Sequence, residues 1–356
     1  MGNLMSRNEF PVEGRTVVIT GGSSGMGLEV GRQLAEKGAN VVIVARGQEK
    51  LRQGIEYIQA GALYPQSQRF HQISADLTSP SDAVRVMDEV VAWNSSTPPD
   101  IVWCCAGSAL PTLFIDTPVA RFHNQMDSNY FTGMHMAHAT LRRWLKISPK
   151  DAADDPSSHS CAPTNGPPPA RHLIFTSTFL AFYSFAGWTP YSPSKAALRG
   201  LSDTLSQEMN LYAAAHPTEP RVRVHTVFPA TILSESYEAE NLIKTDLSKM
   251  LEEGDEAQTP QVVAAKSIRG LETGQELVTT NLVTWLVKRS MLGGSVRGGF
   301  WRALLDWIVG SLMALVMIFV RDDMDRKVRA WGRKYGDSGM NGDNKSARSV
   351  KGHLQA

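Results

Sequence analysis

Two short runs, Thr16-Val17-Val18-Ile19 and Val41-Val42-Ile43-Val44, are apolar without alternation. No other feature constrains the fold as strongly. A strand with one wet face alternates apolar and polar residues, whereas an unbroken apolar strand must be covered on both faces. Strand-like stretches at 15–20, 40–46, 69–77, 100–107, 171–178 and 221–229 are separated by amphipathic segments, among them 25–38, 82–93, 119–146 and Ser192–Ala215. Strand and helix in alternation give the α/β class: a Rossmann-type doubly wound parallel sheet with helices on both faces.

A chain of 356 residues holds one large domain or two modest ones. With 36 Lys+Arg against 35 Asp+Glu it lacks the basic face that a grip on nucleic acid needs. Three cysteines (Cys104, Cys105, Cys161) make no disulfide scaffold, and no secretory signal is visible. The catalytic part is therefore expected in reducing cytosol. His123, His135 and His138 have no cysteine or carboxylate at ligand spacing and read as structural rather than metal-binding.

The organisation expected is an N-terminal arm (1–13), a dinucleotide-binding domain (14–276), a membrane-associated region (277–335) and a disordered polar tail (336–356). A Pro-, Ser- and Asp-rich insertion at 148–170 reads as a mobile surface loop. In the third region, 303–320 is apolar except for Asp306, Gly310 and Ser311, with Phe300, Trp301 and Trp307 at its leading edge. Its length is barely that of a membrane span. Two readings stand: a buried C-terminal helix of a soluble enzyme, or a helix that spans or lies in a membrane. The second is preferred. The charges that follow, from Arg321 to Arg329, would remain cytosolic with the catalytic domain, which favours a hairpin or interfacial helix over a single span. Met1-Gly2-Asn3-Leu4-Met5-Ser6 fits a myristoylation pattern, but one acyl chain binds membranes only marginally.

Directly after the first strand comes Thr20-Gly21-Gly22-Ser23-Ser24-Gly25-Met26-Gly27, opening into a helix. The pyrophosphate of a dinucleotide needs bare N–H groups at a helix N-terminus and a backbone that it can approach closely; glycines between strand and helix provide both. An acidic residue at the end of the second strand would hold the ribose hydroxyls of NAD. Here Ala45-Arg46 stands instead, and a guanidinium can pair bidentately with a 2′-phosphate, with Ser23 and Ser24 adding hydrogen bonds. The cofactor expected is NADPH.

Tyr191 and Lys195 sit at i and i+4 at the start of the helix after the fifth strand, so they share a face. An ammonium there favours phenolate, so Tyr191 can exchange a proton with a carbonyl or alcohol oxygen. The strand before them ends in Thr176-Ser177-Thr178, which offers a hydroxyl to hold the substrate oxygen.

These residues resemble the short-chain dehydrogenase/reductase family, and the likeness runs from about residue 15 to 229. The resemblance implies that Gly21, Gly25 and Gly27 hold the cofactor, with Asp76 and Leu77 near the adenine. It makes Tyr191 the catalytic acid, Lys195 its partner that also binds the ribose, and Asn129 the link to water. Three departures stand out. The family's Asn-Asn-Ala-Gly reads Cys104-Cys105-Ala106-Gly107, keeping only Ala106 and Gly107 at the cofactor. Its Pro-Gly after the sixth strand reads Pro229-Ala230. The position of its catalytic serine, thirteen before the tyrosine, holds Thr178; Ser177 lies one earlier and ranks slightly ahead on residue type.

Within the family, Tyr191-Ser192-Pro193-Ser194-Lys195, the glycine turn and the membrane-like segment are similar to the fungal-type 3-ketodihydrosphingosine reductases. That likeness implies NADPH-dependent reduction of a long-chain sphingoid ketone at the cytosolic face of the endoplasmic reticulum membrane. It also implies a homo-oligomer, packed through 119–146 and Ser192–Ala215. The rival readings are the same chemistry on a steroid or retinoid, or a cofactor-binding scaffold without catalysis. Beyond Pro229, Leu242, Ile243, Leu247 and Leu251 recur at helical spacing and read equally as a lid over a lipid chain or as a surface helix.

Overall fold

The computed structural model describes residues 8–145, 168–291 and 299–341. The myristoylation pattern, Cys161 and nearly all of the 148–170 insertion lie outside them. The strands are β1 (Thr16–Thr20), β2 (Asn40–Ala45), β3 (Phe70–Ser74), β4 (Ile101–Cys104), β5 (Arg171–Thr176), β6 (Val222–Phe228) and β7 (Leu277–Thr279). All pair in parallel, in the order β3-β2-β1-β4-β5-β6-β7. The order reverses between β1 and β4, which opens a crevice at their carboxyl ends.

The unbroken apolar runs are explained by two cores. Val17 and Ile19 of β1 and Val41 and Ile43 of β2 enter one, while Val18, Val42 and Val44 enter the other. The first core lies under α1 (Gly25–Ala35), α2 (Gln48–Gln59) and α9 (Pro260–Glu272). The second lies under α3 (Pro80–Trp93), α5 (Thr132–Trp144) and α6 (Ser192–Ala215). Local signals start these helices where the pattern requires. Ser79 accepts the N–H of Asp82 ahead of Pro80, and Thr259 accepts that of Val262 ahead of Pro260. The segment 119–146 is not one helix. It is α4 (Val119–Met126) and α5 joined by a π-helical turn over Asp127–Phe131, centred on Asn129.

Two boundaries move. Leu277–Thr279, assigned above to the membrane-associated region, is the edge strand paired with Thr226, Val227 and Phe228 of β6, so the sheet domain extends past 276. A run of three residues carries too little pattern to announce a strand. At the other end, Phe10 of the N-terminal arm is fully buried and packs edge-on to His172 at 4.9 Å.

After β7 come α10 (Leu282–Ser290) and α11 (Phe300–Tyr335). The most apolar 18-residue window of α11 has a mean hydropathy of 2.3 yet is only 6% buried. Among the described residues nothing buries this window, which is unlike a core helix of that composition. The helix is nevertheless docked. Asp306 pairs with Arg289 of α10 at 2.7 Å, with side chains 14% and 9% exposed. Gly310 presses on α10 so closely that a Cβ there would stand 2.6 Å from the Arg289 carbonyl oxygen. Met317 packs against the cluster of Phe182, Phe228 and Val287. Residues 336–341, the start of the expected disordered tail, are ordered. The Gly339 carbonyl accepts the Leu247 N–H, and the Asn341 N–H donates to Asp246.

Candidate active site

At the carboxyl end of β1, the turn into α1 brings three backbones together. Gly21 has φ +67°, and a Cβ there would stand 2.9 Å from the Ala106 backbone. At Gly27 a Cβ would stand 2.4 Å from the Gly21 carbonyl oxygen. Any side chain at either position would fill the cradle. Ser24, the residue before α1, makes no side-chain cap bond, so the first-turn N–H groups keep no intrahelical or capping partner. That geometry fits a pyrophosphate.

A cavity of about 700 Å³ opens from this turn. Its wall includes Gly21, Ser24, Gly25, Gly27, Ala106, Gly107, Ser177, Thr178, Tyr191 and Lys195, so most of the residues singled out from sequence converge on one space. Ser23, Arg46, Asp76, Leu77 and Asn129 lie outside that wall. Arg46 stands exposed at the end of β2, with no side-chain partner among the described residues, and its carbonyl accepts the Ser74 hydroxyl at 3.0 Å. Asp76 turns its carboxylate onto the N–H and hydroxyl of Thr78. Leu77 is buried, and its carbonyl accepts a hydrogen bond from His135 Nδ1 at 3.1 Å, which gives that histidine a structural partner.

Tyr191 stands at the threshold of α6, and Thr178 shares the cavity wall with it, near enough for its hydroxyl to lower the phenol pKa. Ser177, ranked ahead from sequence, donates its hydroxyl to the Lys195 carbonyl at 2.9 Å instead. The backbone stays extended past β5, so successive side chains point opposite ways and only one of the two can meet the phenol. Thr178 does.

Lys195 is buried and donates to the Thr176 carbonyl at 2.9 Å. Burial pulls its pKa down to about 8. The phenol departs from expectation. Burial and the charge of Glu240 push its pKa well above the usual tyrosine value, against the pull of Thr178. Tyr191 is thus protonated at neutral pH, the state in which it can give a proton. Lys195 Nζ sits 5.9 Å from the centre of its ring.

Asn129 is fully enclosed. Its amide donates to the Ser108 carbonyl at 2.9 Å and to Gln125, and its Oδ1 accepts the Ser108 N–H at 2.9 Å. A Cβ on Gly107 would meet Asn129 Oδ1 at 2.6 Å and Lys195 Nζ at 3.1 Å, so that glycine keeps both groups on one gap. Cys105, where the family pattern has an amide, accepts the Thr176 hydroxyl at 3.4 Å; burial pushes its thiol up to about 12 and leaves it inert.

The far wall includes the segment that the sequence left open between a lid and a surface helix, joined by residues it did not single out. It is built by α7 (Glu235–Ile243), α8 (Asp246–Leu251), the start of α10 and Met324 of α11. Tyr237, Glu240 and Leu251 line the cavity, whereas Leu242 is 80% exposed, so the segment after Pro229 is a cavity wall with an apolar outer edge. Trp188 and Glu252 complete that wall, and the sequence gives no periodic signal for either.

The family profile described as short chain dehydrogenase matches residues 15–151. The chain is 47% identical over 336 residues to a 3-ketodihydrosphingosine reductase of Aspergillus fumigatus, covering 92% of this chain and 88% of that one. It is 41% identical to one of Neurospora crassa, covering 94% and 87%. A short chain dehydrogenase from Burkholderia cenocepacia, solved in complex with NADP, shares the fold at TM-score 0.58 and 18% identity, over 76% of this chain and 98% of that one. One from Mycobacterium marinum does so at 0.60 and 20%, over 77% and 96%.

Proposed function

The chain belongs to the short-chain dehydrogenase/reductase family, among the 3-ketodihydrosphingosine reductases, and on that premise we propose how this oxidoreductase works. It reduces the ketone of 3-ketodihydrosphingosine to the alcohol dihydrosphingosine with NADPH. The observation that carries the reading is the convergence of Tyr191, Lys195 and Thr178 with the glycine turn in the wall of one cavity bordered by the membrane-like helix.

The glycine cradle at Gly21, Gly25 and Gly27 and the open first turn of α1 fit a dinucleotide pyrophosphate. Arg46, exposed and without a side-chain partner among the described residues where an acid would favour NAD, supports the phosphorylated cofactor. When bound, NADPH supplies a hydride to the carbonyl carbon. Thr178 holds the ketone oxygen against the Tyr191 phenol, which donates its proton to that oxygen as the C–O bond becomes an alcohol. Lys195 stabilises the phenolate left behind and returns a proton to it, with Asn129 across the Gly107 gap on the route to water.

The apolar half of α11 lies in the membrane of the endoplasmic reticulum, with the catalytic domain on the cytosolic side. Twelve large apolar side chains between Phe300 and Val320 are exposed, each worth ~1.5–3 kcal/mol when taken out of water. The Arg289–Asp306 pair ties that stretch to α10, which favours a helix lying in the interface over one that crosses.

The test is NADPH oxidation by detergent-solubilised protein, offered 3-ketodihydrosphingosine or a steroid ketone, with NADH as control. Turnover of the sphingoid ketone with NADPH alone is expected. Turnover of the steroid alone keeps the chemistry and overturns the substrate. Binding of NADPH with no turnover of either points to a scaffold.

A further inference from the structure

The reducing chemistry uses one side of the cavity; the opposite side carries a charge cluster that it does not use. Lys244, its side chain 1% exposed, lies 2.8 Å from Glu240 and 2.6 Å from Glu252. The two carboxylates raise its pKa against the effect of burial, so it stays charged. The Trp188 indole N–H donates to Glu252 at 2.8 Å, and Lys244 stands over the Trp188 ring at 5.0 Å and the Tyr237 ring at 5.3 Å. Glu252 thus has both oxygens engaged, one by Lys244 and one by Trp188. Glu240 has only Oε1 engaged; its Oε2 has no partner among the described residues, and Glu240 lines the cavity.

With both carboxylates ionised, two against one ammonium leave the cluster at net −1, and burial together with the Glu252 charge raises the Glu240 pKa, as befits a carboxylate short of a counter-charge. Burying an uncompensated charge is costly, and the deficit is that of one monovalent cation. The cluster is adjacent to the reacting group: the Trp188 ring centre lies 5.5 Å from that of Tyr191, and the Glu240 charge acts on the phenol itself. The Trp188 and Tyr237 faces hold Lys244, which leaves the cavity side of Glu240 for a further ammonium. Glu253, Asp255 and Glu256 on the same wall add a negative approach.

We propose that Glu240, held by Lys244 and backed by Glu252 and Trp188, binds a substrate ammonium group next to the ketone and so selects amino ketones over neutral ones. This deepens the substrate reading above and rests on it, since a sphingoid ketone carries its amine on the carbon beside the carbonyl. A steroid or retinoid ketone has no cation to offer.

The experiment compares the sphingoid ketone with its N-acetyl derivative, which has the same chain but no charge. In the wild-type protein the charged ketone is expected to have the higher kcat/KM. Glu240→Gln should lower the ratio of kcat/KM for the charged ketone over the N-acetyl ketone at least tenfold, through KM of the charged ketone, while any change in kcat that follows from removing the Glu240 charge beside the Tyr191 phenol falls on both ketones alike. Equal loss on both, or no loss on either, overturns the proposal. Should Glu240→Gln fail to fold, the wild-type protein decides by thermal shift: a long-chain primary ammonium must raise Tm more than the alcohol of equal length. No preference overturns the proposal. That binding readout needs no turnover, so absence of any ketone reduction by an enzyme that still prefers the ammonium would reject the reductase reading alone.

Discussion

The sheet end and the C-terminal helix carry similar apolar residues and treat them oppositely. In β1, β2 and β4 the Val, Ile and Trp side chains are enclosed by helices of the same chain. In α11 only Gly310 is buried, although the helix contains an 18-residue window of mean hydropathy 2.3. Hydrophobicity alone therefore does not say what a segment packs against. What distinguishes the two is whether the cover is at hand: parallel strands get theirs from the crossover helices that join them, whereas among the described residues nothing covers the apolar face of α11.

If the division is real, substitutions at the sheet end should erase chemistry whatever the surroundings, and substitutions on α11 should change attachment without touching chemistry. The largest effect is expected for Tyr191→Phe. Removing the proton donor should lower kcat by about 10³-fold in detergent and on vesicles alike, with NADPH affinity, measured by fluorescence, unchanged within twofold. Retained turnover would take the acid role from Tyr191. Next, Thr178→Ala should cost about 10²-fold in kcat with little change in Tm, because its hydroxyl meets the phenol. Ser177→Ala should instead lower stability by ~1 kcal/mol through the lost bond to the Lys195 carbonyl, and cost less activity. Kinetics and thermal melts of the pair would invert the assignment if Ser177→Ala were the more damaging to kcat. The smallest effect on chemistry is expected for Leu312→Glu combined with Phe319→Glu, two side chains exposed by about two thirds. Flotation with lipid vesicles should fall at least tenfold, while turnover of a water-soluble ketone in detergent stays within twofold. Loss of both together would mean that α11 supports the fold rather than the membrane contact.

The legible parts of the molecule are those written in local order. Unbroken apolar runs required a two-faced sheet, and the glycines of Thr20–Gly27 together with the Tyr191–Lys195 spacing located both ends of the cavity, because each is a constraint between residues within one turn or strand. Thr178 and Ser177 could not be separated that way: both have a hydroxyl, and which face of the extended segment meets α6 is set by packing from elsewhere. Glu240 and Glu252 were illegible for a related reason. Their meaning arises only when α7 and α8 fold back over Trp188, some fifty residues upstream. The short β7 was hidden by length, since three residues show no periodicity.

The docking of Gly310 on the Arg289 carbonyl has a mechanical consequence. α10 is nine residues long, a rod of about 13 Å, with Leu282 and Val283 at one end in the cavity wall and Arg289 at the other, gripped by α11. Past that grip, Met324 borders the cavity again, and the chain beyond α11 is fastened by Gly339 to the start of α8. A helix held at both flanks of an opening is coupled to it: residues 300–320 cannot shift against α10 without disturbing side chains that line the cavity.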